Sequence, residues 1–220
     1  MFSIRLSRVP IIVCLGAHCD DIEIGCGGTL AALAAARPDA QFHCWVFSGD
    51  ETRAAESKAC LEALLGSKRV TLQMLAFRDG FFPADWAAIK TRIRELRDSV
   101  EPELVFTHAD SDRHQDHRVL CELTWNHFRR HTVLEYEIVK YDGDLARPNV
   151  YVPLSAAVLD AKINALMASF SSQAGKHWFT RSTFEAIARL RGVECNAPSG
   201  FAEAFGGRKV CLAPDLLVAA

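Results

Sequence analysis

Several features are missing from this 220-residue sequence, and each absence removes a class of protein. Lysine and arginine number 25 against 27 aspartate and glutamate, a net charge of −2, so there is no basic excess for nucleic acid and no acidic tail. No apolar run reaches the roughly 18 residues that cross a bilayer. The eight cysteines, at 14, 19, 26, 44, 60, 121, 195 and 211, form no C-x-x-C pair, which argues against a cysteine-built zinc site. Cys14, Cys44 and Cys211 lie in apolar runs and read as small core residues. Repeats, low-complexity tracts and linkers are also lacking, so one domain over residues 1–220 is the simplest organisation. Arg5 and Arg8 before Val9–Ala17 imitate a signal peptide, but His18 and two aspartates follow where a small-residue cleavage site belongs. The run reads instead as a buried first strand, in a cytoplasmic protein with reduced thiols.

What is present is ordinary globular material, 50% hydrophobic and 24% charged. Strands are expected at Val9–Ala17, Gln41–Ser48, Val70–Leu75, Leu104–His108 and Val133–Tyr141. Helices are expected at Thr29–Ala36, after a glycine-rich turn, and at Arg53–Leu65, Asp85–Val100 and His117–Arg130. This alternation predicts an α/β fold with a mostly parallel sheet and helices on both faces. Beyond about residue 142 the pattern weakens. A short β segment between Pro148 and Pro153, helices at Ser155–Phe170 and Arg181–Arg191, and an apolar stretch at Lys209–Leu212 complete the expectation.

Ligands of open α/β sheets bind beyond the carboxyl ends of the strands. Two chemistry-bearing segments fall there: His18-Cys19-Asp20-Asp21 after strand one, and His108 to His117 after strand four. Crowded carboxylates repel, and a cation relieves the repulsion. A catalytic zinc takes about three N or O ligands and keeps one open position. His18 and Asp21, three apart on a turn, can converge on one ion, with His117 as third ligand. Asp20 is then placed to take a proton from the attacking water and deliver it to a leaving amine. His114, as an imidazolium held charged and oriented by Asp116, can stabilise an oxyanion. Iron or manganese would suit the same set. The glycines at 25, 27 and 28 do not make a dinucleotide fingerprint, because eight residues rich in charge separate Gly16 from Gly25.

The motifs A-H-C-D-D-I-E-I-G-C-G-G-T and H-Q-D-H resemble those of the PIG-L/LmbE de-N-acetylase family. Weaker likenesses extend along the chain: Arg53 and Glu56 in an R-x-x-E helix, Leu65-Gly66, Ser172-Gln173, and Ala202 to Phe205 as an E-x-F segment. The resemblance implies a Rossmann-like three-layer α/β/α fold. It implies zinc-dependent removal of an acetyl group from an N-acetylated amino sugar or sugar conjugate. It likewise implies His18, Asp21 and His117 as zinc ligands, Asp20 as general base and His114, supported by Asp116, at the oxyanion. One departure stands out: Cys19 occupies the usual proline position, which loosens the turn and offers a soft extra ligand.

Substrate contacts are expected from residues after other strands. Arg53 is a fork for a hydroxyl or phosphate, or else a partner of Glu56. Asp79 is a hydroxyl acceptor, and Tyr141 a further oxyanion contact. Trp178 is a stacking aromatic or core. A metal-dependent amidase on a non-sugar natural product and a non-catalytic metal- or nucleotide-binding module are the alternatives. The partner is a small molecule, neither nucleic acid nor membrane; a homo-oligomer is left open.

Overall fold

The computed structural model describes residues 10–209. Five strands run parallel in the order expected of alternating β and α segments: β1 (Ile11–His18), β2 (Gln41–Ser48), β3 (Val70–Met74), β4 (Leu104–His108) and β5 (Thr132–Tyr136). Two more strands, β6 (Val150–Leu154) and β7 (Phe201–Gly206), extend the sheet, with β7 antiparallel to both β5 and β6. The sheet order is β3-β2-β1-β4-β5-β7-β6, so the direction of chain progression reverses between β1 and β4. That reversal opens a crevice at the carboxyl ends of these two strands.

Side-chain alternation along the strands sorts the core into two layers. Ile12, Cys14, Phe42, Cys44 and Phe106 face α1 (Asp21–Ala36), α2 (Glu51–Leu65) and α5 (Ala156–Ser169). Val13, Leu15, Trp45, Phe47 and Val105 face α3 (Trp86–Ser99) and α4 (Gln115–His127). Helix α6 (Arg181–Glu194) packs on α5 and β7. No helix among the described residues is long and apolar enough to cross a membrane.

Three expectations are corrected. The glycines at 25, 27 and 28 lie inside α1, which starts eight residues earlier than its periodicity suggests. A Cβ on Gly25 would stand 2.3 Å from the Tyr136 ring, and one on Gly28 2.6 Å from Leu154. Close approach, rather than a turn, requires glycine at 25 and 28. Second, strand five stops at Tyr136 instead of Tyr141, because its partner β7 pairs only with Glu135 and Tyr136 before the chain leaves the sheet. Third, the sequence pattern does not foresee β7, and the apolar stretch at 209–212 lies almost wholly outside the described residues, as does Val9.

Helix α1 is clamped from behind. Glu203 of β7 accepts from the Gly28 and Thr29 amides at 2.8 and 2.6 Å. Buried Lys162 joins Glu203 and the Ile24 carbonyl, each at 2.6 Å. Gly25→Ala is expected to overpack the Tyr136 ring and cost about 1–3 kcal/mol, lowering Tm by roughly 3–10 °C. Gly27→Ala, whose Cβ would meet flexible Leu64 at 3.3 Å, should change Tm little. Thermal melts of the two variants make the check, and equal losses would refute the packing account.

Candidate metal centre

The strand termini bring both sequence segments to the crevice. β1 ends at His18 and α1 begins three residues later; β4 ends at His108, and α4 begins after the N-cap His114. Asp20 caps α1 with a left-handed backbone, φ 100°, unusual for a residue with a side chain. Such strain persists where the surroundings over-determine the conformation. Here Arg53 of α2 donates to the Cys19 carbonyl and pairs with Asp20 Oδ2 at 3.0 Å.

His18 Nδ1 lies 3.3 Å from His117 Nε2 and 3.5 Å from Asp21 Oδ2. His117 Nε2 is 3.6 Å from Asp21 Oδ1. A tetrahedral zinc with bonds of ~2.0–2.1 Å holds its donors ~3.3–3.4 Å apart. The spacings are of that size, although they run through both Asp21 oxygens, Oδ2 towards His18 and Oδ1 towards His117. Other donor sets overlap with this one: His18, His114 and His117 lie within 4.8 Å of one another, as do Asp21, His108 and His117. Such a His/Asp cluster can hold a metal ion.

Each imidazole has a carboxylate on its far nitrogen. His117 Nδ1 is 2.8 Å from Asp112 Oδ2, and His18 Nε2 is 3.2 Å from Asp116 Oδ2. Second-nitrogen contacts of this kind fix the tautomer and orient a ligating ring. The expectation that Asp116 holds His114 is corrected. Its carboxylate instead faces His18 and accepts from the Gly80 and Phe82 amides at 2.6 and 3.1 Å. His114 touches Asp116 only through the backbone, its Nδ1 accepting from the Asp116 amide at 3.3 Å. That cap leaves the His114 proton on Nε2.

The electrostatics follow from burial and charge. Burial opposes charge on His18, but hydrogen bonds to Asp116, Asp21 and Asp79 outweigh it and raise its pKa well above the usual value. The field of these carboxylates thus favours a cation at this point. Burial, reinforced by the neighbouring charge of Asp21, raises Asp20 to about 7 against the pull of Arg53. Asp21 is held well below the usual range: burial works against its charge, but His117 and His108 stabilise it. Burial lowers both His114 and His117, so the expectation of a charged His114 is corrected to a neutral ring. Cys19 is pushed up to about 12 by burial, with its Sγ turned to the Ser48 carbonyl, which does not suit a ligand.

Of the other expected contacts, Arg53 and Asp79 line a cavity of 280 Å³ beside His18, with Ser48, Gly49, Asp50, Ala76 and Phe77. Glu56 does not pair with Arg53; it accepts from Ser171 and Ser172. Tyr141 is 73% exposed in the loop after β5 and joins none of these contacts. The tyrosine at the strand end is Tyr136, fully buried, with its hydroxyl donating to the Leu15 carbonyl at 2.6 Å. Trp178 packs against the core. Sequence reasoning missed Asp112 and Lys140, which pairs with Asp112 at 3.1 Å, while His108, which opens the segment after strand four, lies 3.3 Å from Asp21. Asp112 carried a signal, since it sits five residues before His117 in the same acidic segment.

Residues 13–128 match the sequence profile of PIG-L, described as GlcNAc-PI de-N-acetylase. No curated protein sequence matches. Among solved structures, the conserved protein TT1542 from Thermus thermophilus superposes with a TM-score of 0.70 at 23% identity, over 94% of this chain and 98% of that one. GalB, the 4-carboxy-2-hydroxymuconate hydratase from Pseudomonas putida, superposes at 0.73 with 18% identity, over 93% and 98%. The N,N'-diacetylchitobiose deacetylase from Pyrococcus horikoshii superposes at 0.66 with 18% identity, over 94% and 88%. At these identities the structural likeness speaks for the fold.

Proposed function

Because this chain belongs to the PIG-L family, that of GlcNAc-PI de-N-acetylase, we propose that it hydrolyses the N-acetyl group of an amino-sugar-containing substrate. His18, Asp21 and His117 hold one divalent cation, zinc in the first instance. The observation that supports this is the convergence of the two imidazoles, His18 Nδ1 and His117 Nε2 at 3.3 Å, with the Asp21 carboxylate 3.5 and 3.6 Å from them through its two oxygens. Such a cation lowers the pKa of water to about 7 and polarises a carbonyl.

The chain's own groups supply the rest. Asp20, its pKa near neutrality, takes the proton of the attacking water and passes it to the departing amine nitrogen. Arg53 holds Asp20 in place from behind. Neutral His114 donates its Nε2 proton to the oxygen that becomes negative as the amide carbon turns tetrahedral. Asp112 and Asp116 keep the His117 and His18 rings oriented. The 280 Å³ cavity receives the sugar ring, with Asp79 accepting from hydroxyls and Arg53 donating to them. Tyr141, exposed on its loop, meets the outer part of the substrate. The seven cysteines of the described residues are free, which suits a reducing compartment, and we place the protein in the cytoplasm.

A second reading, addition of water to a carbon–carbon double bond, is favoured by the fold shared with the muconate hydratase. Zinc-loaded protein incubated with free, nucleotide-linked and glycoside-linked N-acetylhexosamines, and with an unsaturated dicarboxylate, separates the two. Release of acetate with a free amine is the expected result. Hydration of the alkene without acetate release from any sugar would overturn the first reading.

A further inference from the structure

Beyond β5 the chain forms a loop that is closed at its base. Glu137 accepts from the Ala146 amide at 3.2 Å and from two nitrogens of Arg191 at 2.7 and 2.6 Å. Arg191, buried on α6, also donates to the Ala146 carbonyl at 3.1 Å. The loop therefore stands on a fixed footing, and Lys140 projects from it with a side chain only 11% exposed.

The Lys140 ammonium lies 2.5 Å from Asp144 Oδ2 and 3.1 Å from Asp112 Oδ1, with Asp142 farther out at 3.9 Å. Each of the two nearer carboxylates holds one backbone amide. Asp144 Oδ2 accepts from the Arg113 amide at 2.6 Å, and Asp112 Oδ1 accepts from the His114 amide at 2.8 Å. One ammonium thus joins the acceptors of two consecutive amides, just where the chain turns into α4. The other oxygen of Asp112 lies 2.8 Å from His117 Nδ1. Through that single carboxylate Lys140 reaches both the backbone of His114 and the ring of His117. The side chains of Asp112 and Asp144 are almost wholly buried. Buried like charges repel. Without the cation between them the two carboxylates would move apart, and the 113–114 amides and the His117 ring would lose their fixed acceptors.

We infer that Lys140 is a positioning residue for the deacetylation, locking the Asp112 carboxylate and the 113–114 turn so that His117 is aimed at the cation and His114 at the oxyanion. It acts through Asp112 and Asp144 rather than on the substrate.

Lys140→Met removes the charge and keeps most of the side-chain length. With zinc saturating, its kcat should fall ~10–100-fold while KM stays nearly unchanged. Lys140→Arg, which keeps a charge that two carboxylates can share, should recover most of the lost turnover. A double-mutant cycle gives the reading that a merely structural role would not produce: Lys140→Met should cost far less in an Asp112→Asn background than in the wild type. An unchanged kcat, a loss confined to KM, or an equal loss in both backgrounds would overturn the role. Should Lys140→Met not fold, Lys140→Gln, which retains a hydrogen-bond donor, takes its place in the cycle.

The role assigned to Lys140 rests on the metal-dependent deacetylation proposed above, and zinc affinity against a competing chelator separates the two because it needs no substrate. Lys140→Met should bind zinc ~10–100-fold more weakly than the wild type, and again lose far less on top of Asp112→Asn. If the wild type releases no acetate while the affinities follow this pattern, the reaction is wrong and the placement of Lys140 stands. If Lys140→Met binds zinc as the wild type does, His117 is beyond its reach and the role is overturned. A wild type that binds no zinc would sink both.

Discussion

Asp20→Asn is expected to lower deacetylation turnover by about 10²–10⁴-fold while the protein keeps its tightly bound metal. Asparagine is the conservative replacement here because it tolerates the left-handed backbone that Asp20 adopts at φ 100°. Its amide oxygen can still face Arg53, which also remains tied to the Cys19 carbonyl. What the variant lacks is a carboxylate that accepts a proton near neutrality. Asp20 takes no part in the three closely spaced donor contacts among His18, Asp21 and His117, so zinc should stay bound. Metal analysis and steady-state kinetics on the same preparation make the comparison. If the variant loses zinc in parallel with activity, Asp20 is a ligand or a prop for one, and its role as base is wrong.

The parts of this picture that could be read from sequence are those that depend on chain direction alone. Apolar runs followed by helical periodicity specify parallel strands, and parallel strands align their carboxyl ends. His18 and His117 could therefore be brought to one edge without coordinates. Side-chain direction is another matter. Asp116 and His114 are neighbours in sequence, yet the Asp116 carboxylate turns to His18 and to the amides at 80 and 82, because it sits in the first turn of α4 against that loop. Asp112, by its sequence one more acid in the loop, reaches His117 instead.

The misread secondary structure has physical causes as well. Glycine costs about 1 kcal/mol in a helix interior, so three glycines in four residues read as a turn. The reason α1 tolerates them lies in Tyr136, Leu154 and Glu203, residues more than 100 positions away. Strand β7 carries a charge at its centre, Glu203, which breaks the apolar pattern. Only the buried partner Lys162 and the α1 amides make that carboxylate acceptable inside the protein. The Tyr141 expectation failed to meet the cluster for a simpler reason: the strand ends five residues early, and Tyr136 takes the position at its end.

His117→Ala is expected to abolish turnover and to weaken zinc binding far beyond the ~10–100-fold that loss of an outer-sphere partner costs. Two donors, His18 Nδ1 and Asp21, remain after the substitution, and two are too few for a closed three-ligand face. Asp112→Asn provides the scale. It keeps the His117 ring but replaces its charged acceptor at 2.8 Å by a neutral one, so a ~10–100-fold loss in zinc affinity is expected with measurable activity at saturating metal. The order wild type, Asp112→Asn, His117→Ala in zinc affinity, measured against a competing chelator, tests the geometry step by step. His117 is buried beside His108, with ring centroids 3.9 Å apart, so its removal leaves a cavity and a folding control by circular dichroism is needed. If folded His117→Ala binds zinc as tightly as the wild type, the ion lies in another of the overlapping donor sets. His117 would then serve only to pack against His108 and to hold Asp112.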